Sequence, residues 1–362
     1  MKRNAVVLGA ALLVSACLDV AEERARVDAR VGSAERAALS VQVAHGAAAV
    51  RTLTESSLQL WATAPSLDIT VHAETATSLQ LRIQNALPDG VLTARHDDAP
   101  LEVIELERAA PTDVTYTIAL PAADTTLAFR APDAEDEAPF RFAVFADVQE
   151  AIDTVQDIYR RMNETPMLRF VLMSGDLTSQ GTVAELQRFQ QELRGLQVPC
   201  FSTLGNHELG ASEDNYHRFF GRGSHHFVFK GAHFTLIDDA SATIAPQTYT
   251  WLSEWLREGR DAFHSVYMHL PPLDVSGVRN GAMASRAEAD LLLSQLARAG
   301  VDLTVYGHVH TYDAYTNAGI PAFITGGGGA IPERFDHVGR HFLVVDIDPG
   351  VQQLQTAIVH ID

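Results

Sequence analysis

The sequence predicts a layered α/β (α+β) unit, in which packed sheets are flanked by helices, preceded by a small all-β sandwich. Three observations carry this. Between residues 50 and 132, apolar and polar residues alternate with period two, as in Leu67-Ile69-Val71 and Val114-Tyr116-Ile118-Leu120. From Arg141 onward, short apolar strands alternate with stretches of helical spacing. The chain has 362 residues, 46% of them hydrophobic, enough for two domains and a large core.

Taken in order, the chain begins with Lys2 and Arg3 ahead of an apolar run from Ala5 to Val14, then Ser15, Ala16 and Cys17. A basic start, a short apolar run and small residues describe a secretory signal, and the run is too short to span a bilayer. Val14-Ser15-Ala16-Cys17 also resembles a bacterial lipobox, in which the cysteine becomes the lipidated first residue. Residues 1–17 are therefore read as a signal peptide with Cys17 as the lipidation site. The competing reading is an ordinary signal peptide with Cys17 incidental. The lipobox reading implies a cell-envelope protein, periplasmic or on the cell surface, that touches the membrane only through its anchor. Residues 18–48, rich in Ala, Arg and Glu, read as a tether or loose helix.

Residues 49–132 carry the period-two runs, separated by turn signals such as Pro88-Asp89-Gly90, and predict an antiparallel sandwich of immunoglobulin or fibronectin type. His72 and His96 are isolated there and read as surface residues. The acidic, proline-flanked stretch APDAEDEAP contains a linker, residues 133–139. Residues 140–362 form the α/β unit. Arg141 to Ala146 is a strand, and Ile152, Val155, Ile158 and Met162 recur at helical spacing. Phe170 to Met173 is a second strand. Thr182-x-x-Glu185 is a capping box opening a helix, and Ser285-x-x-Glu288 opens another that closes near Gly300. Further strands are expected at Pro199–Leu204, Phe234–Ile237, Ser265–Met268, Leu303–Tyr306 and Phe342–Ile347, enough for two packed sheets.

The formal net charge of −19 argues against a nucleic-acid scaffold, which needs clustered basic residues. Of the 27 basic residues only Lys2 and Lys230 are lysines, and no basic run is long. The second of the two cysteines, Cys200, lies in an apolar strand and reads as buried filler. With Cys17 lipidated or removed, Cys200 has no partner for an intrachain disulfide.

The chemistry sits at the strand ends. Asp147 follows the first strand of the α/β unit, Gly175-Asp176 the second, and Gly205-Asn206-His207-Glu208 the third. His269 follows HSVYM, and Gly307-His308-Val309-His310 follows DLTVY. The carboxyl edge of strands is where open α/β sheets build their sites. Two aspartates, an asparagine, a glutamine (Gln149) and three imidazoles offer mixed N and O ligands for two divalent cations. Glycines before Asp176, Asn206 and His308 permit sharp turns and close backbone approach.

These motifs, D-x-Q, GD, GNHE, a single His and GHVH, occur in order over residues 140 to 350 and resemble those of the calcineurin-like metallophosphoesterases. The resemblance implies that Asp147, Gln149, Asp176 and His310 hold one metal ion. It assigns Asp176, Asn206, His269 and His308 to the other, with Asp176 as the bridge. It implies two divalent ions, Mn, Fe or Zn, whose shared hydroxide attacks a phosphomonoester or phosphodiester. His207 would protonate the leaving alkoxide, supported by a carboxylate such as Glu208. The catalytic residues so implied are His207, Asp176 and Asn206. Ser179 stands where purple acid phosphatases place a tyrosine, which argues against their Fe(III) charge-transfer site.

Gln149 departs from the D-x-H pattern and motivates a second reading, a catalytically silent envelope protein that binds a metal or ligand on the same fold. Other features read as incidental. His225, His226 and His233 lie in a Phe-rich hairpin and alternate between its faces. The GGGGA segment, residues 326–330, lacks the Lys-Ser/Thr of a P-loop and reads as a flexible turn beside the metal edge. Pro271 to Ala284 reads as a loop over the site, with Arg279 and Asn280 as candidate substrate contacts.

Overall fold

The computed structural model describes residues 18–212, 214–277 and 281–361. Residues 1–17, expected as a signal peptide ending in Cys17, and Arg279 and Asn280 lie outside the described residues.

Strands β1 (Ser33–Arg36), β2 (Leu39–Val43), β3 (Ala48–Leu53), β4 (Ser57–Ala62), β5 (Leu67–Ala73) and β6 (Thr77–Gln84) begin the β region. It continues with β7 (Val91–His96), β8 (Ala99–Leu101), β9 (Val103–Ala110), β10 (Asp113–Leu120) and β11 (Asp124–Arg130). They form two sheets, ordered β1-β2-β5-β11-β7-β8 and β3-β4-β6-β10-β9. The period-two pattern does what it implies, because β5 alternates strictly between buried and exposed residues. Leu58, Leu60, Leu67, Ile69, Val71, Leu79, Leu81 and Ile83 meet in one core between the sheets. The expectation of a purely antiparallel sandwich needs one correction. β4 and β6 pair in parallel, because the chain leaves for β5 in the other sheet before returning.

A second correction concerns residues 18–48, expected as a tether or loose helix. Residues 18–28 form a helix, α1, and residues 33–43 supply β1 and β2. The reason lies in charges that the composition made look solvated. Arg24 is 1% exposed and donates to both Asp238 oxygens (2.6 and 3.1 Å) and to Ser241 Oγ (2.9 Å). Buried Asp28 accepts from the backbone N–H groups of Gly223 and Ser224, each at 2.8 Å. Ala21 and Ala25 pack against Ala245. The helix is thus docked on the α/β unit.

In that unit, β12 (Phe140–Phe145), β13 (Leu168–Ser174) and β14 (Cys200–Thr203) run parallel. Two later antiparallel strands complete their sheet in the order β14-β13-β12-β21-β22, with β21 (His341–Asp348) and β22 (Gln353–His360). The other sheet is β15-β16-β17-β18-β20-β19. Its members are β15 (His225–Phe229), β16 (Ala232–Ile237), β17 (His264–Met268), β18 (Leu303–Tyr306), β19 (Tyr312–Asn317) and β20 (Ile320–Thr325). Helices α2 (Gln156–Asn163), α3 (Val183–Glu192) and α4 (Asp214–Phe220) cover the first sheet, and α5 (Pro246–Glu258) and α6 (Arg286–Ala299) the second.

β12 shows why the layers form. Phe140, Phe142 and Val144 enter the core between the sheets, whereas Ala143 and Phe145 face the helices. A strand buried on both faces has to be apolar nearly throughout. Phe142, Phe170 and Phe234 pack edge-on and stacked in that inner layer, each buried ring contributing about 1.5–3 kcal/mol. Cys200 is buried as expected, on the helix-facing side of the first sheet. α3 carries the full Thr182–Glu185 capping box, and Gly300 closes α6 in the left-handed conformation (φ 78°). Among the described residues, no helix is long and apolar enough to cross a membrane.

Candidate metal centre

The parallel strands of both sheets end at one edge, and the candidate ligands follow them there. Asp147 stands two residues beyond β12, Asp176 two beyond β13, and Asn206 three beyond β14. His269 directly follows β17, and His308 stands two residues beyond β18. The backbone turns abruptly at these points. Asp147 (φ 64°), Gln149 (φ 47°), Asp176 (φ 54°) and His308 (φ 68°) all occupy the left-handed region, which costs a side-chain-bearing residue about 1–3 kcal/mol. Cross-loop hydrogen bonds hold them there. Val148 N–H donates to the Asp176 carbonyl (2.9 Å), His308 N–H to Asp147 Oδ2 (2.9 Å), and His207 N–H to Asp176 Oδ1 (3.0 Å).

The result is two groups of ligand atoms sharing one carboxylate. Asp176, His269 and His308 bring one donor atom each within 4.8 Å of one another, and so do Asp147, Asp176 and His310. Asn206 joins the first group through Oδ1, 3.0 Å from His269 Nε2. Gln149 joins the second, with its Nε2 2.8 Å from Asp176 Oδ2 and 3.2 Å from His310 Nε2. Asp147, Asp176 and His269 are at most 1% exposed, so the charges are largely withdrawn from water.

Hydrogen bonding fixes which ring atoms face inward. His269 donates Nδ1–H to the Ser174 carbonyl (2.8 Å), and His310 donates Nδ1–H to the Ile331 carbonyl (2.7 Å). Both rings therefore aim Nε2 at the centre, the arrangement in which a second partner orients a ligating histidine. His308 presents Nδ1, 3.3 Å from His269 Nε2. Around His269 Nε2 the lone-pair-bearing atoms Asn206 Oδ1, Asp176 Oδ2 (3.2 Å) and His308 Nδ1 converge. Electron-rich atoms at such spacing repel unless a proton or a cation lies between them. His269 registers that field: burial alone would lower its pKa, but Asp176, Asp147 and Asp239 outweigh burial and push it up to about 10. Burial works against the charge of Asp176 too, yet His269 and His207 hold that carboxylate well below its ordinary range. The donor set, mixed imidazole, carboxylate and amide around a shared aspartate, fits divalent metal binding.

Glycines make the approach possible. A Cβ on Gly205 would stand 2.2 Å from Asp176 Oδ1, and one on Gly307 2.7 Å from Asp147 Oδ2. The segment 326–330, expected as a flexible turn, is tied down instead. Gly328 N–H donates to the Ala146 carbonyl and Ala330 N–H to the Asp147 carbonyl, at 2.8 and 2.9 Å. Its glycines serve close packing against the Asp147 turn.

Three further differences from the sequence reading stand out. Gln149 turns its amide nitrogen, not its oxygen, toward Asp176. Ligation through Oε1 requires rotation of the terminal amide. Glu208 does not support the His207 ring; its carboxylate accepts from Gly205 N–H, Thr178 N–H and Thr178 Oγ1–H, each at 2.9 Å. Burial, reinforced by the Asp176 charge, raises its pKa to about 8 despite those bonds. His207 is instead oriented by the Ser179 carbonyl, which accepts its Nδ1–H at 2.6 Å. Its Nε2 then lies 3.9 Å from Asp176 Oδ2, on a side chain 34% exposed. Lastly, the sequence reading passed over Asp239. This buried carboxylate accepts the backbone N–H groups of His269 (3.0 Å) and Leu270 and follows Asp238, which holds Arg24. The pair Asp238-Asp239 directly follows β16 at the same edge, a signal that was legible.

Residues 140–312 match the calcineurin-like phosphoesterase family model. Over that stretch, a little under half of the chain, the sequence is similar to that family. A 3',5'-cyclic-nucleotide phosphodiesterase of Nostoc sp. is 24% identical over 164 residues, 42% of this chain and 60% of that protein. The chain thus spans less than two thirds of that relative. Among solved structures, PhoD has a TM-score of 0.49 at 12% identity, covering 82% of this chain and 87% of its own. A dimetal phosphatase from Danio rerio has a TM-score of 0.47 at 15% identity, covering 62% of this chain and 99% of its own.

Proposed function

We propose that the chain is a metal-dependent phosphoesterase hydrolysing phosphomonoesters or phosphodiesters at a dinuclear centre. One observation supports this reading: Asp176 belongs to both groups of ligand atoms, so a single carboxylate would stand between two cations. Asp147, Gln149, Asp176 and His310 would hold one ion, and Asp176, Asn206, His269 and His308 the other. Two bound divalent cations would supply Lewis acidity toward phosphoryl oxygens and toward the attacking water. The chain's own residues do the rest. Asp147 and Asp176, buried and bonded through backbone N–H groups, keep the site's negative charge fixed. His207 keeps Nδ1–H on the Ser179 carbonyl and is left with Nε2 to deliver a proton to the leaving oxygen. Such general-acid help is worth about 10²–10⁴-fold. Asn206 and His269 hold each other in register through their 3.0 Å contact.

We further propose that residues 1–17 direct the protein to the cell envelope and that Cys17 anchors it by a lipid. Metabolic labelling with a fatty acid, lost in Cys17→Ser, tests that reading. The activity is tested with p-nitrophenyl phosphate, bis-p-nitrophenyl phosphate and a 3',5'-cyclic nucleotide, each with Mn²⁺, Zn²⁺ or Fe²⁺. Turnover of at least one ester is expected. Folded, metal-loaded protein that turns over none of them supports the silent-protein reading instead.

A further inference from the structure

A cleft of about 490 Å³ opens between the β region and the helices of the α/β unit, and none of the metal-centre residues lines it. Its walls carry Arg51 of β3, Arg82 of β6 and Arg194 beyond α3. Gln187, Gln190 and Gln191 of α3 line it as well. Among the described residues, the one carboxylate in its walls is Asp113, which is already engaged: Arg82 donates to both its oxygens, at 2.8 and 2.5 Å. Arg51 also borders an adjoining cavity of about 270 Å³, lined by Arg30 and Arg218 and by no carboxylate. Arg30, Arg51, Arg194 and Arg218 thus line these two neighbouring cavities, and among the described residues their walls hold no carboxylate besides the engaged Asp113. They do so in a chain whose formal net charge is −19.

Arg51 shows how the position is held. Its Nη1 donates to Gln190 Oε1 (3.2 Å) and to the Phe219 carbonyl (2.9 Å), and its guanidinium lies 4.8 Å from the Phe219 ring centre. Arg218 lies over the same ring at 6.0 Å. Partial burial and then the like charge of Arg218 both lower the Arg51 pKa. Two cations on one ring repel each other, and the fork of an arginine matches phosphate or sulfate oxygens. The volume suits a small molecule rather than a polymer.

We propose that this cleft binds a small, multiply charged oxyanion, a molecule bearing several phosphate or sulfate groups. Arg51, Arg194 and Arg218 contact the anionic oxygens, and the α3 glutamine amides contact hydroxyl or ester oxygens. Binding cancels the Arg51–Arg218 repulsion and ties β3 to α4. This proposal is independent of the activity at the metal centre.

The test titrates the full-length, metal-loaded protein calorimetrically with sucrose octasulfate, which a phosphoesterase does not hydrolyse. Saturable binding is expected, weakened several-fold between about 50 and 200 mM salt. Arg51→Gln with Arg218→Gln should weaken it about tenfold or more, while Arg51→Lys, which keeps the charge but loses the fork, weakens it less, and p-nitrophenyl phosphate hydrolysis is unchanged. Arg218 is exposed, so Arg218→Gln alone, expected to weaken binding about threefold, guards against a folding artefact. Asp176→Asn should leave octasulfate binding intact. No binding at millimolar probe, equal binding by the double-glutamine variant, or loss of binding in Asp176→Asn would overturn the proposal.

Discussion

One strand, β17 (His264–Met268), has a histidine cluster at each end, and the two clusters behave oppositely. Beyond its carboxyl end, His269 gathers with His308 and His310 around Asp147 and Asp176. At its start, His264 gathers with His226 and His233 under Trp255, their ring centres 5.1–5.9 Å apart. Within the first cluster the acids prevail and His269 is pushed up to about 10. In the second, burial and neighbouring imidazoles push His264 down to about 3 and His226 to about 2. There the rings satisfy one another: His226 Nε2 lies 3.0 Å from His233 Nδ1, and His264 Nε2 2.8 Å from Thr235 Oγ1. The acids near it are peripheral. Asp302 accepts the His264 backbone N–H, and Glu258 acts on His233 only through its field. Histidine density does not make a metal site. Buried carboxylates and converging lone pairs do.

Substitutions can break or sharpen this contrast. The largest effect is expected for Asp176→Asn, which removes the shared charge: ester hydrolysis falls to background and bound metal drops below two ions per chain, read by elemental analysis. Next, His207→Ala lowers kcat by about 10²–10⁴-fold with metal content unchanged, which separates proton delivery from metal binding in steady-state kinetics. Arg24→Ala leaves Asp238 buried without its partner and should cost about 3–5 kcal/mol in denaturant unfolding.

The second cluster answers to pH rather than metal. Its folded-state pKa values are depressed below 6.5, so the unfolded chain takes up protons first as pH falls. The stability that these neutral rings allow is complete above about pH 6.5 and declines toward about pH 3. His264→Gln should therefore lower the acid-unfolding midpoint followed by near-UV circular dichroism, with metal content unchanged. The smallest effect is expected for Gln149→His, which keeps hydrolysis and tightens Zn²⁺ or Fe²⁺ at the Asp147–His310 side, read by competition with a chelator.

Much of this was legible because each candidate ligand follows an apolar strand, and strand ends of parallel sheets share one edge. Period-two alternation likewise exposed β5, β6 and β10. What stayed hidden was long-range pairing of polar groups. Arg24 and Asp28 look like solvated helix residues until Asp238, 214 positions from Arg24, and the backbone at Gly223 come to meet them. Glu208 reads as a catalytic helper because it adjoins His207, yet its side chain turns to Thr178. The carbonyl of Ser179, which aims His207, has no side-chain signature at all. The arginine cleft was invisible for the same reason: its residues come from β3, β6, α3 and α4, and only folding assembles them.

The central claim is that two ions share Asp176. Anomalous diffraction from crystals of protein reconstituted with Mn²⁺ or Zn²⁺ tests it most directly. The account predicts two peaks flanking the Asp176 carboxylate, one beside His269 and His308, the other beside Asp147 and His310, and none among His226, His233 and His264. A single peak away from Asp176, or a metal in the second histidine cluster with the first left empty, would contradict it.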